Sequence, residues 1–136
     1  MSTKIAVNLP VKDLARSAHF IAELGLARNE YLSNENMEAI VVSDDIYVLL
    51  VVEPQFKAIT KKEIPNAAIT SEAILQLQVD SRQRVDELAD KAFAAGTLPA
   101  NEPTDQGLLY GRSFRDPDGH HWDVFCIDPA PLASPT

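Results

Sequence analysis

Across residues 4–11 apolar and polar positions alternate, with Ile5, Val7 and Leu9 on one side and Ala6 and Asn8 on the other. That period of two predicts a half-buried strand. From Asp13 the period lengthens: Leu14, Ala18, Ile21 and Leu24 recur at helical spacing, Asp13 is a good N-cap, and Gly25 supplies the stop. Residues 28–53 read as strands broken by polar turns. Ser33-Asn34-Glu35-Asn36 separates the first two, and Ser43-Asp44-Asp45 precedes an apolar run from Ile46 to Val52. The first half of the chain is therefore a strand, a helix and three strands.

Residues 54–71 form a long connection with Pro54 and Pro65 around a charged centre. A short helix is expected near 55–60, and the segment is the natural place for a module boundary or a flap. The pattern then restarts. Over residues 73–79, Leu75, Leu77 and Val79 oppose Ile74, Gln76 and Gln78; Ser81 caps a second helix whose apolar stripe is Val85, Leu88, Ala89 and Ala92, ended by Gly96. Strands are expected over 97–102, 108–115 and 121–127. Val11-Lys12-Asp13 and Val79-Asp80-Ser81 both mark the passage from strand into capped helix, so an internal duplication is the economical reading. One domain over residues 1–128 is expected, with module one at about 4–53, a linker at 54–71, module two at about 72–128, and a flexible Pro- and Ala-rich tail at 129–136.

Composition narrows the function classes. No apolar run approaches the roughly 20 residues of a membrane span, and Met1-Ser2-Thr3-Lys4 lacks the apolar core of a signal peptide. The single cysteine, Cys126, allows no intrachain disulfide, which fits a reducing, cytoplasmic compartment; in its apolar run it reads as a small buried hydrophobe. A net charge of -8 argues against nucleic acid, since phosphate-binding surfaces need clustered Lys and Arg. It is compatible with a cationic ligand, and also with a charge carried for solubility alone.

Most of the chemistry lies in one segment. Asp116-Pro117-Asp118-Gly119 is a strong turn signal, and the strand after it puts His121, Asp123 and Phe125 on one face and Trp122 and Val124 on the other. Two of the three histidines and the only tryptophan fall here, so this strand is the first place to look for a site. His120 reads as a hydrogen-bonding turn residue and His19 as a solvated helix residue.

Three features now carry a resemblance. Asn8-Leu9-Pro10-Val11-Lys12-Asp13-Leu14 runs into a helix that ends Leu24-Gly25-Leu26; Leu75-Gln76-Leu77-Gln78-Val79-Asp80 enters a second helix; and Asp116-Pro117-Asp118-Gly119-His120 precedes Trp122-Asp123. In this order and spacing, over residues 4–128, the chain resembles the glyoxalase, bleomycin-resistance and extradiol-dioxygenase group, the vicinal oxygen chelate superfamily. The resemblance implies an α+β fold of two βαβββ modules forming a curved, cup-like mixed sheet, with helices outside and a small-molecule site inside. It also implies a homodimer. The fold serves lyases, dioxygenases, epimerases, thiol transferases and drug-sequestering proteins, so it names no reaction.

Metal-dependent members of the group place one ligand on the first and fourth strand of each module. Carried over by position, these fall at Ala6, within about one residue of Leu49, at Ile74 and at Asp123. Only Asp123 is a donor, whereas a divalent site needs about three; neither a metal nor another cofactor is expected. A rebuilt site would draw on His121 and Asp123, roughly 7 Å apart along a strand, and on Glu53 at the rim, in strand parity with Leu49 and Val51.

If Ile5, Val7, Leu9, Leu75, Leu77 and Val79 pack under the helices, then Ala6, Asn8, Ile74, Gln76 and Gln78 face the cup, joined by Tyr47, Leu49, Val51, His121, Asp123 and Phe125. The expected ligand-binding set is Asn8, Tyr47, Leu49, Ile74, Gln76, Gln78, Arg112, His121 and Asp123. Arg112 alternates with Tyr110. Turned inward it would pair with Asp123 or bind a carboxylate or phosphate; turned outward it would be solvated or packed on a helix. The sequence leaves both directions open. The expected function is small-molecule binding without a metal, with no nucleic-acid or membrane partner. The alternative is a glyoxalase-like lyase or dioxygenase-type enzyme, through a rebuilt metal site or a His121/Asp123 acid-base pair. A dimeric scaffold with a degenerate cup is the third reading.

Overall fold

Strand, capped helix and three strands recur in each half of the chain. The computed structural model describes residues 3–128, so the expected tail at 129–136 lies outside the described residues. The chain divides into two units, Met1–Thr70 and Ser71–Thr136. No helix is long and apolar enough to cross a membrane among the described residues.

In the first unit, β1 (Ile5–Val11) leads to α1 (Leu14–Glu23), β2 (Ala27–Asn29), a 3-10 turn (Glu30–Leu32), β3 (Met37–Val41), β4 (Ile46–Val52) and α2 (Glu53–Thr60). The sheet order is β1-β4-β3-β2, with β1 parallel to β4 and the other pairs antiparallel. A parallel pair needs a long crossover, and α1 with β2 and β3 supplies it. The Asp13 side chain accepts the Arg16 N–H at 3.1 Å, and Gly25 leaves the helix at φ 87°. Alternation then sorts the residues. Leu9, Val11, Val48 and Leu50 share one face and are buried, as are Phe20, Ile21 and Leu24 of the α1 segment, which packs on β3 and β4. The other face carries Ala6, Asn8, Tyr47 and Leu49 in register, and Val51 further along it is fully buried.

One expectation about this unit fails. The chain turns helical at Glu53, with Pro54 in the first turn, where its missing N–H costs nothing. Glu53 is thus no strand-edge carboxylate; it pairs with Lys12 Nζ at 3.2 Å.

The second unit repeats the plan: β5 (Ile74–Gln78), α3 (Arg82–Ala94), β6 (Thr104–Gln106), β7 (Leu109–Arg115) and β8 (His121–Ile127), in sheet order β5-β8-β7-β6. Ser81 Oγ accepts the Arg84 N–H at 3.1 Å, and the predicted stripe Val85, Leu88, Ala89 and Ala92 is buried where α3 packs on β7 and β8. Phe114, Trp122, Val124 and Cys126 are fully buried there, with the Phe114 and Trp122 rings stacked at 6.3 Å between centroids. The strand expected at 97–102 is absent; β6 begins at Thr104. Thr97 instead closes the end of α3, its hydroxyl donating to the Ala92 carbonyl at 2.9 Å. Pro99 and Pro103 have no N–H to give to a ladder. The segment is tied to β7 at single points, Arg115 N–H to the Leu98 carbonyl and Asn101 N–H to Ser113 Oγ.

The turn between β7 and β8 is organised by Asp116, which is 7% exposed. Its Oδ1 accepts the N–H groups of Asp118 and His120, both at 3.0 Å, and its Oδ2 accepts the indole N–H of Trp122 at 3.1 Å. Burial pushes this carboxyl above the usual carboxylate range, against the pull of His120 and the Trp122 N–H. Asp116→Ala orphans three donors, one of them in the core. It is expected to lower the unfolding free energy in urea by about 2–4 kcal/mol, with a smaller loss for Asp116→Asn, which keeps an acceptor for the backbone. A loss for the alanine variant below about 0.5 kcal/mol, the range of ordinary surface changes, would refute this role.

Candidate functional site on the second sheet

The register of two strands builds the site. β5 runs parallel to β8 with Ile74 beside His121, Gln76 beside Asp123 and Gln78 beside Phe125. β7 runs antiparallel on the other side of β8, with Ser113 opposite Asp123, Gly111 opposite Phe125 and Leu109 opposite Ile127. All of these share the face turned away from α3, because Trp122, Val124 and Phe114 fill the other one. Ile74 stands exposed at one end of the face.

At its centre the polar groups bond to each other. Asp123 Oδ1 lies 2.6 Å from His121 Nε2, and Asp123 Oδ2 accepts from Gln76 Nε2 at 3.0 Å. The imidazole and carboxylate side chains are 15% and 25% exposed. Two residues apart on one strand, they turn to the same face and their side chains reach each other. Beside them lies a pocket of about 380 Å³, within the size range of small-molecule sites. Leu109, Gly111, Phe125 and Ile127 form its apolar part; Gln76, Ser113 and Asp123 are polar groups on the same strands; Asn101, Glu102 and Thr104 come from the approach to β6. Gly111 is needed there: a Cβ would stand 3.2 Å from the Phe125 Cβ, tighter than ordinary packing allows.

The expected site residues thus divide. Gln76, His121 and Asp123 are brought into contact, with Ile74 and Gln78 on the same face. Asn8, Tyr47 and Leu49 belong to the first sheet, where Asn8 and Leu49 are register partners. Arg112 takes the outward of its two directions. Its Nη1 bonds Asp86 Oδ1 at 3.0 Å and Asp90 Oδ1 at 3.1 Å on α3, and its guanidinium lies 5.3 Å from the centre of the Phe93 ring. It neither pairs with Asp123 nor offers its charge to the open face. Leu109, Gly111, Ser113 and Glu102 are pocket residues that the sequence reading passed over. The parity of Phe114 with Arg112 was the available signal: a core aromatic on that side puts Gly111 and Ser113 on the other.

Three of the four positions implied for a metal hold Ala6, Ile74 and, near Leu49, aliphatic residues, none of them a donor; the fourth is Asp123. Among the described residues no group of three or more His, Cys, Asp and Glu side chains is placed to hold a metal ion. Glu53 is engaged by Lys12 on its helix, and Asp123 already meets two protein groups. The donor set does not fit a divalent metal.

The family model for the Glyoxalase/Bleomycin resistance protein/Dioxygenase superfamily matches residues 5–124. The sequence matches no curated protein. Among solved structures, a hypothetical protein from S. aureus is 29% identical, with a TM-score of 0.79 over 93% of this chain and 95% of that one. A glyoxalase/bleomycin resistance protein/dioxygenase family enzyme from Burkholderia phytofirmans is 16% identical, with a TM-score of 0.78 over 93% and 99%. A fosfomycin resistance protein from Listeria monocytogenes is also 16% identical, with a TM-score of 0.66 over 96% and 94%. The last two likenesses speak for the fold.

Under the site, the polar face of α3 is bound to β7. The hydrogen bond from Tyr110 (2.6 Å) and then the Arg112 guanidinium hold the Asp86 carboxyl below the usual carboxylate range, against its partial desolvation. A carboxyl lowered by folding adds stability above its unfolded pKa and loses it as pH falls through the folded value. The melting temperature is therefore expected to drop on acidification below about pH 4, and Asp86→Asn, less stable at pH 7, should show a shallower drop. Parallel melting curves for the two proteins from pH 7 to pH 3 would count against the network.

Proposed function

This chain belongs to the Glyoxalase/Bleomycin resistance protein/Dioxygenase superfamily, and on that premise we propose that it binds a small molecule on the open face of its second sheet without a metal. One observation carries the reading. Asp123, the single donor at the four positions where the resemblance implies ligands, has each carboxylate oxygen engaged by a protein group, His121 on one and Gln76 on the other. The pocket beside it has an apolar floor and a few placed polar groups, the usual composition of a ligand site.

The same contact supports a second reading. An imidazole held by a carboxylate is the arrangement of an oriented general base, which would make the pocket that of a metal-free enzyme. The two readings part at His121→Ala, which removes turnover from an enzyme and leaves a binding protein able to bind.

Fragment titration of chelator-treated protein, followed in amide proton–nitrogen spectra, tests the main reading. Shifts are expected at Gly111, Ser113, Asp123 and Phe125, unchanged by the chelator and absent in Gly111→Val, whose side chain meets the Phe125 Cβ. Added zinc or nickel should leave the melting temperature where it was, because a metal bound to the native state must raise it. A rise of several degrees that disappears in Asp123→Ala would overturn the metal-free reading.

A further inference from the structure

We infer that the pocket of the second sheet selects a cationic ligand, an amine carried on an apolar body, an inference that rests on the reading above. The charged groups that the pocket presents are carboxylates. Asp123 and Glu102 both line it. The basic residue in its wall, Arg112, carries its side chain on the opposite face of the sheet, where the guanidinium bonds Asp86 and Asp90 of α3. Arg115, opposite His121 at the start of β8, is exposed on the same face two residues beyond Ser113, but it does not line the pocket. The bias extends beyond the pocket: Ser71–Thr136 contains eleven Asp and Glu against five Lys and Arg. An anionic ligand would meet two carboxylates in the pocket lining and no guanidinium turned into it, Arg115 standing outside.

The positive case is geometric. Asp123 accepts from His121 and Gln76, two of the roughly four hydrogen bonds a carboxylate has room for, and it lines the pocket, so it can accept from a ligand N–H as well. Phe125, two residues along the same face, lines the same pocket. A carboxylate and an aromatic ring in one pocket are a pairing that favours ammonium groups, through charge-assisted hydrogen bonds and cation–π attraction. Gly111, where a Cβ would press on the Phe125 Cβ, adds no side chain to that wall. Leu109 and Ile127 continue the apolar floor, which suits a hydrocarbon or aromatic body rather than a bare ammonium ion.

Three probes of one shape and different charge test this: 3-phenylpropylamine, 3-phenyl-1-propanol and 3-phenylpropionate, titrated into chelator-treated full-length protein and followed at the amides of Gly111, Ser113, Asp123 and Phe125. The amine should bind about tenfold more tightly than the alcohol, and the acid more weakly than either. Asp123→Asn and Glu102→Gln should each weaken the amine by about two- to fivefold, as expected for partly exposed charges, with the alcohol unaffected. Because Asp123 also holds His121 and Gln76, the Glu102 variant keeps the test valid if Asp123→Asn melts early. Raising salt from 50 to 500 mM should weaken the amine alone. Equal binding of amine and alcohol, or tighter binding of the acid, at these same amides overturns the charge selection and leaves the pocket intact. Silence of all four amides with all three probes overturns the pocket and the inference together.

Discussion

The parallel pairing of β5 with β8 is the constraint on which the second unit and its site depend. It joins residues far apart in the chain, Gln76 to Asp123, and sets them side by side in register. Once that register is set, the period of two decides the rest. Trp122, Val124 and Cys126 go under α3, and His121, Asp123 and Phe125 go to the open face. A slip of one residue would exchange the two sets, placing an imidazole and a carboxylate in the core and an indole in water. The buried Trp122 and its bond to Asp116 fix β8 to the β7–β8 turn with the indole on the α3 side.

Three aspartates of this unit show how position decides what a carboxylate does. Asp116 is buried and serves the fold, closing a turn by accepting three N–H groups. Asp86 sits between helix and strand, held ionised by Tyr110 and Arg112. Asp123 stands on the open face with its oxygens shared between His121 and Gln76. The first two belong to scaffold interactions that are complete without a ligand. The third borders a pocket, and this is where a ligand gains most from a charge already oriented by protein groups.

Most of the architecture was legible in the sequence because its signals are local. Capping residues Asp13 and Ser81, stop residues Gly25 and Gly96, and the alternation in β1, β5 and β8 each report on a few neighbouring residues, and each element stands where the pattern puts it. What was misread depends on longer range or on competing chemistry. Residues 97–102 have strand-like spacing, yet Pro99 and Pro103 and the turn at Thr97 leave them without a ladder. Glu53 has strand parity until Pro54 starts a helix. Arg112 alternates as any strand residue does, and its parity with the core residue Phe114 turns it to α3, where Asp86 and Asp90 receive it. The pocket needed that direction, since Gly111 and Ser113 become site residues only when Arg112 does not.

The central claim is that Asp123, at the place where the resemblance implies a metal ligand, is instead held by protein side chains. Anomalous diffraction from crystals soaked in zinc tests it most directly. No zinc peak is expected at coordination distance from the Asp123 carboxylate, with His121 and Gln76 still bonded to it. A strong peak about 2.0–2.2 Å from an Asp123 oxygen, with the His121 ring turned from the carboxylate to the metal, would contradict it.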